Sequence, residues 1–242
     1  MSRASEITRN PYESEDWESL GNETGGAMRP GGTELTNELL ERAGISGSRE
    51  RSYASFPSNV RSMLDIACGT GETTAMLQSL GIRVLGIDSS PKLVAEARAR
   101  HPEVRFEMVE LQECPGMFET FDAAIAQCSI SEIAAENGIA NALASCASCI
   151  KPGGMFLFSD VYDKGGKSPW GLPSYDGWLS EMEKTGFDAV WHDDKSSTLS
   201  DFVISLIWAG FDIKTAGSWC PAIEGVDSKN VGYMACVMRK RL

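Results

Sequence analysis

From residue 61 onward, short apolar runs alternate with stretches whose apolar positions recur every three or four residues. The runs at 63–68 (MLDIAC), 83–88 (RVLGID), 104–109 (VRFEMV), 121–127 (FDAAIAQ) and 155–161 (MFLFSDV) read as strands. Between them, 72–81 and 90–100 read as helices, and so does a long small-residue stretch of about 133–150. Gly81 suits a helix C-terminus, and Ser90 followed by Pro91 suits an N-cap with proline at the first helical position. Strands alternating with helices at these intervals predict right-handed crossovers and a doubly wound, mostly parallel sheet. The near-continuous apolar character of the strands predicts cover on both faces.

Past Tyr162 the rhythm loosens into a loop with Gly165, Gly166, Pro169, Gly171 and Pro173. A helix at 175–185, a strand at 187–192, a helix at 199–209 and a closing strand at 232–240 follow. The 199–209 helix is expected to bury Phe202, Ile204, Leu206 and Ile207. Upstream, only 35–43 has helical spacing, with Leu35, Leu39, Leu40 and Ala43 on one face, Thr33 or Gly32 capping its start and Gly44 its end. The expected organisation is an N-terminal arm and helix over 1–52 and one domain over 53–242, with no internal repeat.

Charge narrows the function. With 22 Lys+Arg against 34 Asp+Glu, the net charge of −12 disfavours a nucleic-acid or anionic-membrane partner, since both need a basic face. The first 20 residues lack the apolar core of a signal peptide, and seven scattered cysteines do not form a disulfide framework. A cytoplasmic protein with reduced thiols is expected.

The densest chemistry follows the first strand, in Asp65-Ile66-Ala67-Cys68-Gly69-Thr70-Gly71, with Asp88 ending the second. In an open parallel sheet, ligands bind beyond the carboxyl ends of the strands, where glycine lets backbone approach them. A dinucleotide fingerprint wants a third glycine at 74, which is Thr74. The set instead resembles the first two motifs of class I S-adenosylmethionine (SAM) methyltransferases, with Ala67 where that family most often has glycine. Glu110-Leu111, Phe121-Asp122, Gln127 and Lys151-Pro152-Gly153-Gly154 continue the resemblance in order, over about 60–242. The arm segment Met28 to Gly32 with Leu35-Thr36, the stretch Cys128 to Ser131, and Gly232-Tyr233 resemble a poorly characterised bacterial branch of small-molecule methyltransferases.

The resemblance implies a Rossmann-like seven-stranded sheet of order 3-2-1-4-5-7-6 and SAM as cofactor, with S-adenosylhomocysteine as product. It implies a cofactor set of Asp65, Ala67, Cys68, Gly69, Gly71, Asp88, Ser89, Glu110, Leu111 and Gln127. Asp88 would hold the ribose hydroxyls, Glu110 and the Leu111 N–H the adenine, and Gln127 would lie beside the sulfonium. Arg29 either meets the cofactor carboxylate or is a surface arginine in a glycine turn.

In-line methyl transfer asks mainly for alignment and a dry site, and for a base only if the nucleophile arrives protonated. Gln127, Cys128, Tyr162 and His192, at expected strand ends, are the catalytic candidates. Tyr162 as a packed residue and His192 as a surface residue are the alternatives. The connection at about 193–231, too long for a hairpin, is expected to form a lid with the arm and Trp17; it carries Phe202, Trp208, Phe211 and Trp219. Phe202 and Trp208 are alternatively read as packing the added helix on the sheet. No metal site is expected, and Cys146 and Cys149 read as small helix-packing residues. Cys68, Cys128 and Cys220 leave open a thiolate-assisted metalloid methyltransferase. A SAM- or nucleotide-binding module without catalysis, and an NAD-dependent oxidoreductase, are the other readings. The acceptor is a small molecule of unknown identity, and oligomeric state is left open.

Overall fold

The structure, a computed structural model, describes residues 29–45, 60–165, 168, 171–208, 220 and 228–242. One seven-stranded sheet of order β3-β2-β1-β4-β5-β7-β6 organises them. In chain order the elements are α1 (Gly32–Arg42), β1 (Ser62–Ile66), α2 (Glu72–Ser79), β2 (Arg83–Asp88), α3 (Pro91–Arg100), β3 (Arg105–Met108) and β4 (Phe121–Gln127). They continue with α4 (Ile130–Asn137), α5 (Ile139–Cys149), β5 (Ile150–Asp163), α6 (Tyr175–Lys184), β6 (Phe187–Asp194), α7 (Ser196–Trp208), a 3-10 turn (Ser228–Asn230) and β7 (Val231–Lys240). The strands β1 to β5 pair in parallel, and β7 runs antiparallel between β5 and β6. The expected strand order and α/β class are those observed.

The central strands are apolar because both of their faces are covered. All five residues of β1 are buried, and Phe156, Leu157 and Phe158 of β5 are fully enclosed. From β1 the chain moves outward to β2 and β3, then returns to the other side as β4 and β5. That reversal opens a crevice at the carboxyl ends of β1 and β4. Helix α3 starts as the sequence predicts, with Ser90 Oγ accepting from the Leu93 N–H at 3.3 Å and Pro91 at the first position.

Three local expectations differ from the structure. The stretch expected as one helix over 133–150 is two, α4 and α5, broken at Gly138 (φ 80°, ψ 144°), and Ile150 already belongs to β5. The cap of α1 is Gly31, in left-handed geometry, rather than Thr33 or Gly32. On α7, Leu199 and Leu206 are buried and Phe202 half-buried, whereas Ile204, Ile207 and Trp208 are exposed. A single helix laid on one strand presents only its i, i+3, i+7 stripe inward, so the wider stripe read from the sequence overreaches. Trp208 therefore does not pack the helix on the sheet. The boundary expected at residue 52 and the aromatics Trp17, Phe211 and Trp219 lie outside the described residues.

Helix α1 buries Leu35, Leu39 and Leu40 and packs on β7 and β5. It is tied to the β6–α7 corner by Lys195, whose Nζ lies 3.0 Å from Glu38 Oε1 and 2.9 Å from Asp193 Oδ2. On the sheet's other side Trp178 of α6 is completely buried, 5.1 Å from the Phe158 ring, and its Nε1–H donates to the Val161 carbonyl at 2.9 Å. Trp178→Ala removes both contacts and is expected to cost about 3–5 kcal/mol, read as a lower urea midpoint.

Candidate active site

The turn from β1 into α2 is built from left-handed backbone: Ala67 has φ 52°, Gly69 φ 55° and Gly71 φ 87°. For Ala67 that geometry costs about 1–2 kcal/mol, the physical reason a glycine suits this position. Two hydrogen bonds hold the turn against the end of β2. The Cys68 N–H donates to the Ile87 carbonyl, and the Gly69 N–H to Asp88 Oδ2, each at 2.9 Å. Asp88 Oδ1 accepts from the Ser90 N–H at 2.9 Å. The carboxylate is thus fixed by backbone at the cavity wall.

A cavity of about 300 Å³ lies over this turn, at the low end of the roughly 300–1,000 Å³ usual for small-molecule sites. Of the expected cofactor set, Arg29, Ala67, Cys68, Gly69, Asp88, Ser89, Glu110, Leu111 and Gln127 line it, as does Cys128. Asp65 and Gly71 do not, which corrects the expectation that Asp65 faces the ligand. Asp65 is buried behind the turn, where its Oδ2 accepts from Thr74 Oγ1 at 2.6 Å. Thr74, the residue that breaks the dinucleotide fingerprint, is therefore the clamp for that acid. Gly71 begins α2, where a Cβ would lie 2.5 Å from the Phe106 ring.

At the far wall β4 ends in Gln127, and Cys128 turns the chain with φ 58°. The corner is heavily determined. The Cys128 N–H donates to the Ser159 carbonyl at 2.8 Å, and the Asp160 carboxylate takes the Ser131 N–H at 2.9 Å and its hydroxyl at 2.6 Å. A chain of polar contacts then crosses from the arm into the sheet. Arg29 Nη2 donates to Thr36 Oγ1 at 2.5 Å, Thr36 to Gln127 Oε1 at 3.0 Å, and Gln127 Nε2 to Ser159 Oγ at 3.2 Å. Ser159 also accepts from Tyr233 Oη at 3.0 Å, and that oxygen lies 2.9 Å from Cys128 Sγ. Thr36, Ser159 and Tyr233 were not singled out as site residues, because nothing local in the sequence says that they meet. The Gly232-Tyr233 match to the family branch was the available signal.

Tyr162 and His192 lie outside the cavity. Tyr162 donates to Asp194 Oδ2 at 2.9 Å, and His192 Nδ1 pairs with Tyr175 Oη at 2.8 Å on an exposed strand end. His192 is on the edge strand β6, and Tyr162, on β5, is tied across β7 to Asp194 of β6, so a position near a strand end did not bring either into the cavity. Burial pushes the Cys68 and Cys128 thiols well above the usual range, with acidic neighbours reinforcing it. That favours neutral thiols rather than thiolates, and Cys220 does not line the cavity. No group of three His, Cys, Asp or Glu suited to a metal occurs among the described residues. No helix among them is long and apolar enough to cross a membrane.

A second cavity, of about 550 Å³, opens between α1 and α7, lined by Leu35, Glu38, Lys195 and Phe202 among others. Arg29 borders both cavities. Its Nε and the Ser129 hydroxyl are buried polar atoms without a hydrogen-bond partner among the described residues.

Comparison with known proteins matches this architecture. Residues 63–154 fit the family model described as a methyltransferase domain. Over this stretch the chain is similar to a methyltransferase domain. YqeM of Bacillus subtilis, named as a methyltransferase, is 31% identical over 130 residues, 52% of each chain. The ubiquinone biosynthesis O-methyltransferase of Methylocella silvestris is 29% identical over 118 residues, 47% of this chain and 44% of that one. The chain thus spans about half the length of the curated relatives it matches. Among solved structures, the [4+2]-cyclase SpnF superposes with TM-score 0.63 at 23% identity, covering 86% of this chain and 81% of that one. A geranyl diphosphate C-methyltransferase from Streptomyces coelicolor superposes with TM-score 0.64 at 17% identity, covering 86% and 76%. At these identities the two structures share the fold.

Asp65 beneath the turn after β1 gives a pH signature. Burial raises its carboxyl from 3.8 to about 6, with Asp88 adding to the rise and Thr74 and Arg29 opposing it. Folding therefore takes up a proton between about pH 4 and 6, and this contribution to stability is lost as pH rises through that window. Asp65→Asn removes it. Relative to the parent, the variant is expected to gain stability from pH 4 to 7, by up to roughly 3 kcal/mol for a two-unit shift, in denaturant titrations at each pH.

Proposed function

We propose that the protein transfers a methyl group from SAM to a small molecule. The observation that carries this reading is Asp88, immobilised at the end of β2 by two backbone N–H groups and lining the cavity beside the glycine turn. A carboxylate at this place in the wall suits a vicinal diol such as the ribose of SAM, whose hydroxyls donate hydrogen bonds. The buried Nε–H of Arg29, lacking a partner among the described residues, fits the carboxylate of the same cofactor. Glu110 and Leu111, lining the cavity beyond β3, fit its adenine edge. When bound, the cofactor supplies an electrophilic methyl group activated by positive sulfur.

The chain's own residues bind, align and dry. Gln127, clamped between Thr36 and Ser159, fixes the β4 edge where the methyl would be presented, and Cys128 closes that edge with a neutral thiol. Arg29 couples cofactor binding to arm placement, since it lines the cofactor cavity and holds Thr36 of α1. The second cavity, between α1 and α7, adjoins the cofactor cavity at Arg29. The −12 charge supports a small-molecule acceptor rather than a nucleic acid. A superposable fold in a protein titled a cyclase is the reason to measure binding and transfer separately.

Calorimetry is expected to show one S-adenosylhomocysteine bound per chain and no heat with NAD. Two charge-assisted hydrogen bonds at about 1.5–3 kcal/mol each put the loss in Asp88→Ala at tenfold or more. An affinity within about twofold of the parent refutes the cofactor assignment. Binding without methyl transfer to any acceptor in a small-molecule panel favours the non-catalytic reading.

A further inference from the structure

Once Asp88 and Glu110 are given to the cofactor, and Glu72 and Glu96 to their ion pairs with Arg100, two carboxylates of the cavity wall remain. Both belong to α4. Glu132 and Glu136 stand one turn apart on the face that also carries Ile133 and Asn137 into the wall. Neither carboxylate has a hydrogen bond or ion pair among the described residues. Like charges at i, i+4 repel. Asp160 of β5, behind the helix, and Asp88 of β2 add to the negative charge felt at Glu132. The basic residues of the lining are Arg29, Lys92 and Arg100, none of them on α4; Arg29 is engaged by Thr36, and Arg100 by Glu72 and Glu96.

An independent observation lies at the start of the same helix. Ser129, 6% exposed, lines the cavity with a buried hydroxyl that has no partner among the described residues. A buried hydroxyl without a partner is costly unless a ligand completes it. Side by side, an uncompensated carboxylate and an unused hydroxyl form a recognition pair for a group that carries positive charge and donates hydrogen bonds.

We propose that Ser129, Glu132 and Glu136 form the acceptor subsite and that it takes a protonated aliphatic amine, with Glu132 as the base that frees the nitrogen lone pair. This deepens the methyl-transfer reading and rests on it. The ammonium N–H passes its proton to Glu132, and the freed lone pair forms the nitrogen–carbon bond. The sulfur–carbon bond breaks and its electron pair stays on sulfur. The methylated nitrogen remains cationic, and the proton on Glu132 leaves to solvent, so charge and atoms balance. Burial first, then Asp160, Glu136 and Asp88, push the Glu132 carboxyl up to about 7, where a general base works best at neutral pH.

The test uses the full chain saturated with S-adenosylhomocysteine, titrated in a calorimeter with 2-phenylethylamine and, as the anionic counterpart, 3-phenylpropionate. The amine is expected to bind in preference to the acid, with affinity rising as pH passes through about 7 and Glu132 ionises. Glu132→Gln is expected to weaken the amine by about tenfold or more and flatten the pH dependence, with Glu132→Asp restoring part of it. Affinity for S-adenosylhomocysteine, which reports both folding and the cofactor end, stays within about twofold in both variants. Preference for the acid, no saturable amine binding, or an unchanged amine affinity in Glu132→Gln overturns the subsite. So does a collapse of cofactor-product affinity in that variant, which assigns Glu132 to the cofactor instead. Failure of the parent to bind S-adenosylhomocysteine overturns the methyl-transfer reading itself.

Discussion

Everything chemical in this protein depends on a reversal in a parallel sheet. Successive crossovers carry the chain from β1 outward to β3, and the next return it to β4 on the other side. At the reversal, backbone turns and strand-end side chains meet in one crevice. The turn after β1 and the corner after β4 face each other because those two strands are paired neighbours. Both turns hold an L-residue in left-handed geometry, Ala67 and Cys128. Such strain persists where surrounding hydrogen bonds over-determine the backbone, and here Asp88, Ser159 and Asp160 supply them.

The buried acids divide by environment. Asp65 and Asp160 stand behind the site as structural acceptors, satisfied by Thr74 and by Ser131. Asp88 is equally fixed but faces the cavity, and Glu132 faces it without a partner among the described residues. Carboxyls raised toward neutrality are therefore of two kinds: those whose oxygens are taken up by the fold, and one that is available to a ligand. The arm belongs to the same system. Arg29, Thr36 and Gln127 join α1 to the end of β4, so placement of the arm and geometry of the site are mechanically linked.

Much of the fold was legible because its signals are local. Strand periods, the Ser90-Pro91 start and the glycine-rich turn each follow from a few adjacent residues. Asp88 and Glu110 fall at the cavity wall for a related reason, since one crossover separates Asp88 and two crossovers separate Glu110 from the turn. Asn137-Gly138 is a turn signal inside a stretch otherwise rich in alanine, and the chain breaks the helix there, with Gly138 at φ 80° and ψ 144°. Tyr162 and His192 stand near strand ends as expected, yet His192 is on the edge strand β6 and Tyr162 bonds across to Asp194 of that strand, so neither lines the cavity.

The sequence by itself determined the α/β class, the order of the strands through its family motifs, and the acids that end them, because these depend on pattern and spacing along the chain. Tertiary structure alone decided which polar residues share a wall. Arg29 meets Gln127 through Thr36, Cys128 meets Tyr233, and Ser129, Glu132 and Glu136 line a cavity opposite Asp88. Those neighbours lie up to about a hundred positions apart in the chain, and burial makes their hydrogen bonds and charges matter. Neither separation nor burial is visible in a local pattern.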